Sequence, residues 1–305
     1  MWQQLEAEII QVCRAKIRSH ERRKSALAAD VSRRSRRSTN AVSAINAQLP
    51  DLWIANPNLN PFSVIRRSTS LAHGIRRSIA SGSYEPHPPT TFKVQKSGGS
   101  DRSVFTFEIA DEAVSRLLFR SLHRKNRSLF GAHTYAYRED VGIYDAIRYV
   151  ASEWSGRSRL FVAEYDLKAY FDSIRHDYLF ALLDDRSIHA TPLEVRYCKR
   201  FVNIHPQLAG ECDPDEVDSR GALGIPQGTT ISLFLANLAM LPLDRQLEKI
   251  GAGFTRYADD ILLWSDDYGT ACRGVNALYE WSESAGVKVN LEKSRGLRLM
   301  VNSPK

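Results

Sequence analysis

Phe254-Thr255-Arg256-Tyr257-Ala258-Asp259-Asp260-Ile261-Leu262-Leu263-Trp264 places two adjacent carboxylates between two short apolar runs. The β-favouring residues on either side predict two strands joined by a tight turn, with the acids at its tip. Aspartate is a poor strand residue, and two side by side cost stability unless something positive sits against them. Turn chemistry is the competing explanation for an isolated Asp-Asp pair, because an aspartate side chain readily bonds its own backbone.

Two more segments bear on that choice. In Phe161-Val162-Ala163-Glu164-Tyr165-Asp166-Leu167-Lys168-Ala169-Tyr170-Phe171-Asp172-Ser173-Ile174, Asp166 ends an apolar strand over 160–165, whereas Asp172 or Ser173 stands where it would cap a helix over 173–183. Between the acidic segments comes Gly224-Ile225-Pro226-Gln227-Gly228-Thr229-Thr230-Ile231-Ser232-Leu233-Phe234-Leu235-Ala236-Asn237, a glycine-flanked turn leading into a long helix over 231–247. In order and spacing the three segments resemble the reverse transcriptases of bacteria. That family builds its palm active site from D-x-x-x-x-F, G-x-P-Q-G-x-x-x-S and Y-x-D-D motifs in this sequence. The resemblance covers residues 84–295. It includes Tyr84-Glu85-Pro86, Ala132-His133-Thr134-Tyr135-Ala136-Tyr137-Arg138, Asp145-Ala146-Ile147, Leu243-Asp244 and Gly286-Val287-Lys288-Val289-Asn290-Leu291-Glu292-Lys293. Glu108-Ile109-Ala110-Asp111 departs from it, standing where a proline and an Asp-Arg pair are usual.

The resemblance implies an α+β right-hand polymerase of fingers and palm, with an antiparallel palm sheet, helices around it, and a thumb absent or very short. Residues 1–50 would form a basic helical N-terminal arm, 51–155 the fingers and 156–305 the palm. The implied activity is RNA-directed DNA polymerisation. Asp166, Asp259 and Asp260 are then the catalytic acids, and with the Leu167 carbonyl they hold two Mg2+ ions, for which Mn2+ would substitute. Lys96, Arg102, Phe171, Gln227 and Lys293 are the expected nucleotide contacts, and Tyr257 and Gly228 the template and primer contacts. Partners would be an RNA template, its DNA product and deoxynucleoside triphosphates. A structured non-coding RNA, another subunit or a second copy would replace the thumb, and retrons and antiviral defence systems are the nearest settings by size. Two alternatives stay open: a template-independent or protein-primed DNA polymerase, and an RNA-binding module with a polymerase-like fold.

Composition agrees with these expectations. With 305 residues, 43% of them hydrophobic, the chain can bury a substantial core, and its formal charge of +7 favours a polyanionic partner. Cys13, Cys198, Cys212 and Cys272 are scattered without zinc-ligand spacing. No stretch has the apolar length of a signal peptide or a bilayer span, so no membrane partner and a cytoplasmic location are expected. From Leu5 to Leu49 helix formers alternate with Arg14, Lys16, Arg18, Arg22, Arg23, Lys24, Arg33, Arg34, Arg36 and Arg37. This is either a solvated helix or a phosphate-binding face, with Arg33, Arg34, Arg36 and Arg37 the candidates for RNA contact. A hairpin over 91–107, with Lys96 and Arg102 at its tip, two helices over 111–127 and 144–154, and an acidic loop over 208–220 complete the expected elements.

Overall fold

A computed structural model describes residues 1–37, 48–95, 101–138, 140–204, 207–208 and 222–301. Lys96, the side chain of Arg102 and residues 209–220 of the acidic loop lie outside them.

Helix α1 (Leu5–Ser35) starts with Leu5, Ile9, Val12 and Cys13 at helical spacing, and all four are fully buried. They pack against α3 (Pro61–Arg66), which follows the short α2 (Asp51–Ala55), against α4 (Ser68–Ala80), and against α5 further on. Asn60 caps α3, accepting from the Phe62 and Ser63 N–H groups at 3.0 and 3.3 Å. From Ser19 to Ser35 no residue of α1 is buried, a run of about 25 Å at 1.5 Å per residue. The predicted basic helix therefore has two parts, an apolar start that belongs to the core and an exposed basic remainder.

Strands β1 (Thr90–Gln95) and β2 (Asp101–Thr106) form the expected hairpin, with Thr90 opposite Thr106. Helices α5 (Ile109–Lys125) and α6 (Ile143–Trp154) follow. Lys16 of α1 reaches Glu112 of α5 at 2.8 Å, and Glu8 pairs with Arg120.

The second half of the chain contributes β3 (Arg159–Tyr165), β4 (Leu167–Lys168), α7 (Tyr170–Ser173), α8 (His176–Leu183), α9 (Pro192–Val202) and β5 (Gln207–Leu208), which joins β1 in parallel. After these come α10 (Thr230–Ile250), β6 (Gly253–Tyr257), β7 (Asp260–Ser265), α11 (Tyr268–Ala285), β8 (Lys288–Val289) and β9 (Arg295–Val301). The central sheet has the order β6-β7-β3-β9, antiparallel throughout. Its alternation is strict. Ala163, Tyr165, Ile261 and Leu263 face the main core with α10 and α11, while Leu160, Val162, Leu262 and Trp264 face α6 through Tyr149, Val150 and Trp154. Gly251 and Gly286, both at φ 77°, end α10 and α11 in the left-handed conformation that glycine adopts without strain.

One element departs from expectation. The helix predicted over 173–183 is broken, because Ile174 is extended, fully buried, and accepts the Gly224 N–H at 2.7 Å. A tertiary hydrogen bond to the Gln-Gly turn takes the place of the helical one.

Candidate active site

Register, rather than proximity in sequence, assembles the acids. Tyr165 of β3 lies opposite Ile261 of β7, so the next residues along, Asp166 and Asp260, end the two central strands side by side. Asp259 occupies the two-residue turn between Tyr257 and Asp260, and Ala258 before it is left-handed at φ 58°. Burial raises the pKa of the Asp260 carboxyl, and the charges of Asp259 and Asp166 raise it further against the opposing pull of Lys293. Three carboxylates thus share one field.

Asp166 is braced from the 290–294 turn. Its N–H donates to Ser294 Oγ at 3.1 Å, its Oδ2 accepts from Asn290 Nδ2 at 2.7 Å, and Lys293 Nζ stands 3.8 Å from the same oxygen. The β4–β8 pair, with Leu167 opposite Val289, holds that turn in place. The structure therefore brings Lys293 to the acids. Asn290 and Ser294 received no role from the sequence, since a lone Asn or Ser in a loop has no periodicity or charge pattern to mark it.

Beneath the acid turn lies Arg256, 1% exposed. Its Nε and Nη2 donate to Asp244 at 2.9 and 2.6 Å, and its Nη1 to Asn237 Oδ1 and the Ala258 carbonyl, both at 3.1 Å. Thr134, paired with Arg256 in an isolated parallel bridge, donates its hydroxyl to Asp244 at 3.0 Å. Although burial disfavours the charge, Asp244 more than offsets it and keeps Arg256 protonated. Nothing in the sequence pattern tied these four residues together.

The Gln-Gly turn packs on the chain after Asp166. Ile225 N–H donates to the Phe171 carbonyl at 2.6 Å, and Gln227 Nε2 to Asp172 Oδ2 at 3.3 Å. Asp172 is therefore no helix cap: Arg175 precedes α8, and Asp172 sits inside α7 with its carboxylate turned to Gln227. Phe171 is half-buried against the core. Gly228, at φ 124°, passes so close to β2 that an added Cβ would meet the Phe105 carbonyl oxygen at 2.2 Å. The backbone of Arg102 lies in β2 opposite Val94. Tyr257 is exposed at the end of β6, beside the acids. Arg33 and Arg34 pair with Asp30 at 3.6 and 2.6 Å within α1, and Arg36 and Arg37 are exposed beyond its end.

One His-carboxylate cluster stands apart from these residues. His87, Glu108 and Asp111 keep their ligand atoms within 4.8 Å of one another. Its bonding suits a proton better than a metal. Buried Asp111 accepts from the Tyr84 hydroxyl at 2.6 Å, the His87 N–H at 2.9 Å and His87 Nδ1 at 3.0 Å. The hydrogen bond to Asp111 raises His87 from 6.5 to about 9 against the effect of burial, with the charges of Asp111 and Glu108 adding to the rise. The segment that departs from the family pattern is thus an internally satisfied anchor.

Residues 94–302 match the family model of the reverse transcriptase (RNA-dependent DNA polymerase) domain. The chain belongs to the reverse transcriptase family. It is similar to Protein YkfC of Escherichia coli, 27% identical over 180 residues that make up 57% of this chain and 45% of that protein. It is also similar to an uncharacterized 91 kDa protein in the cob intron of Schizosaccharomyces pombe, 25% identical over 197 residues, 64% of this chain and 23% of the other. The chain thus spans less than half the length of these curated relatives. An apo telomerase from Candida tropicalis, truncated from its C-terminal domain, shares the α+β polymerase fold at a TM-score of 0.51 and 11% identity, over 77% of this chain and 56% of that one. Among the described residues no helix is long and apolar enough to cross a membrane.

Proposed function

We propose that this chain is an RNA-directed DNA polymerase that extends a primer with deoxynucleotides, using Asp166, Asp259 and Asp260 as its catalytic acids. The supporting observation is the β3–β7 register, which sets Asp166 against the Asp259–Asp260 turn although 93 positions separate Asp166 from Asp259. Three crowded carboxylates suit divalent cations, and with the Leu167 carbonyl they are the hard oxygen donors that magnesium, or manganese in its place, requires. Bound there, the two ions supply the charge that activates a primer 3′-hydroxyl and stabilises the leaving pyrophosphate.

The chain's own residues do the positioning. Asn290 and Ser294 fix the orientation of Asp166. Lys293, beside Asp166, offers a positive charge or a proton to the pyrophosphate. Phe171 limits room at the sugar 2′ position, and Gln227 lies over the nucleotide. Lys96 and Arg102 bind its phosphates, and Tyr257 with Gly228 contacts template and primer. Residues 51–155 act as fingers and 156–305 as palm. The exposed half of α1, with Arg33 and Arg34, and Arg36 and Arg37 just beyond its end hold a structured RNA in the cytoplasm, and a role in antiphage defence rests on the sequence resemblance.

The test is primer extension on an RNA of defined sequence with Mg2+ and all four deoxynucleotides, followed by sequencing of the product. A complementary product supports the reading, whereas sequence independent of the added RNA favours template-independent synthesis.

A further inference from the structure

We infer that Arg256 is a positioning residue for the catalytic turn: its buried guanidinium braces the left-handed Ala258 so that Asp259 and Asp260 meet Asp166 in metal-binding geometry. The inference rests on the polymerase reading above. Burying Arg256 carries a cost. A guanidinium 1% exposed is tolerated only when its donors are satisfied, and an apolar side chain of similar volume would stabilise the fold about as well. All five N–H groups of Arg256 are engaged: Nε and Nη2 with Asp244, Nη2 with Thr134, and Nη1 with Asn237 and the Ala258 carbonyl. Four of those bonds tie β6 to α10 and to the 133–135 segment. The fifth is different, because it reaches past the strand end to the turn that bears the acids.

That turn needs a brace. Ala258 sits at φ 58°, where a Cβ is disfavoured, and such a residue persists only when its surroundings fix it. It directly precedes Asp259. A planar fork spans Asp244, Asn237 and Ala258 at once, whereas a lysine ammonium at the same place is a single point that cannot. Arg256 thus joins two rigid elements to the one strained residue whose backbone aims the carboxylates, without touching the reacting groups itself.

The experiment measures Mn2+ binding by electron paramagnetic resonance, with melting temperature and the Mg2+ dependence of incorporation recorded alongside. It compares the wild type, Arg256→Lys, Arg256→Lys with Ala258→Gly, and Asp259→Asn. Arg256→Lys is expected to weaken Mn2+ binding and raise the half-saturating Mg2+ by about tenfold, with turnover down roughly 10- to 100-fold from carboxylate misplacement. Glycine adopts the left-handed turn without a brace, so Ala258→Gly should restore much of the metal binding while leaving the melting temperature lowered. Should Arg256→Lys not fold, Arg256→Gln with Asp244→Asn removes both buried charges together and should show the same metal defect. A lowered melting temperature with unchanged Mn2+ affinity and Mg2+ dependence would overturn the inference, as would a double variant no better than Arg256→Lys. Asp259→Asn losing the metal while Arg256→Lys keeps it overturns the inference alone. Wild type and Asp259→Asn binding Mn2+ equally would overturn the polymerase reading, and this inference with it.

Discussion

At Gly228 the fold leaves no room for one carbon atom: φ is 124°, and a Cβ would press within 2.2 Å of the Phe105 carbonyl oxygen. Gly228→Ala should therefore push the Gln-Gly turn off β2, at a cost of about 1–3 kcal/mol, seen as a lower melting temperature together with weaker nucleotide binding. Phe171 is a subtler case, half-buried with its carbonyl holding Ile225 N–H at 2.6 Å. The backbone bond survives truncation. Phe171→Ala should thus admit ribonucleotides while deoxynucleotide incorporation stays within about tenfold of wild type, since discrimination by shape alone is worth only a few kcal/mol. Competition between labelled ribo- and deoxynucleotides checks this, and equal loss of both with earlier melting would make the ring a core residue. At this scale the sequence disclosed residues whose chemistry is costly. Asp259 and Asp260 stand out because two carboxylates in a strand-turn-strand pattern need a reason. Asn290, which donates to Asp166 at 2.7 Å, has no such mark.

Among the elements, α1 unites two behaviours that one pattern of basic residues concealed. Leu5, Ile9, Val12 and Cys13 are fully buried, so removing the whole helix would damage the core. Substituting Arg18, Arg22, Arg23, Lys24, Arg33, Arg34, Arg36 and Arg37 with glutamine avoids that damage. If half of these contact phosphate, the slope of log affinity for RNA against log salt should fall by about 3 units, from roughly 0.7 to 0.9 per contact. An unchanged slope would leave α1 a solvated helix. The start of α5 carries a pH dependence. His87 is raised to about 9 from 6.5, so its contribution to stability is complete below about pH 6.5 and is lost as pH rises through about 9. Denaturant melts between pH 6 and 10 should show that decline, and His87→Gln should flatten it. Elements with clear periodicity, such as β3, β7 and α10, could be read from the sequence. The break at Ile174 could not, because it depends on a bond to Gly224, 50 positions further on.

For the whole molecule, the legible part was the order of motifs and the hidden part was how they meet. The resemblance carried by three acidic or glycine-flanked segments in sequence implied an α+β polymerase fold, and the antiparallel β6-β7-β3-β9 sheet agrees with it. Neither the pairing of β9 beside β3 nor the buried Arg256–Asp244 bridge follows from local pattern: the first joins strands far apart in the chain, and the second depends on how β6 packs on α10. The central claim is that Asp166, Asp259 and Asp260 act together on a metal-bound nucleotide. Mg2+-dependent incorporation of a labelled deoxynucleotide on a primed RNA, compared between wild type and Asp259→Asn at matched melting temperature, tests it most directly. A loss of about a thousandfold or more is expected, equivalent to several kcal/mol of barrier at 1.4 kcal/mol per tenfold. Asp259→Asn activity within about tenfold of wild type would contradict it.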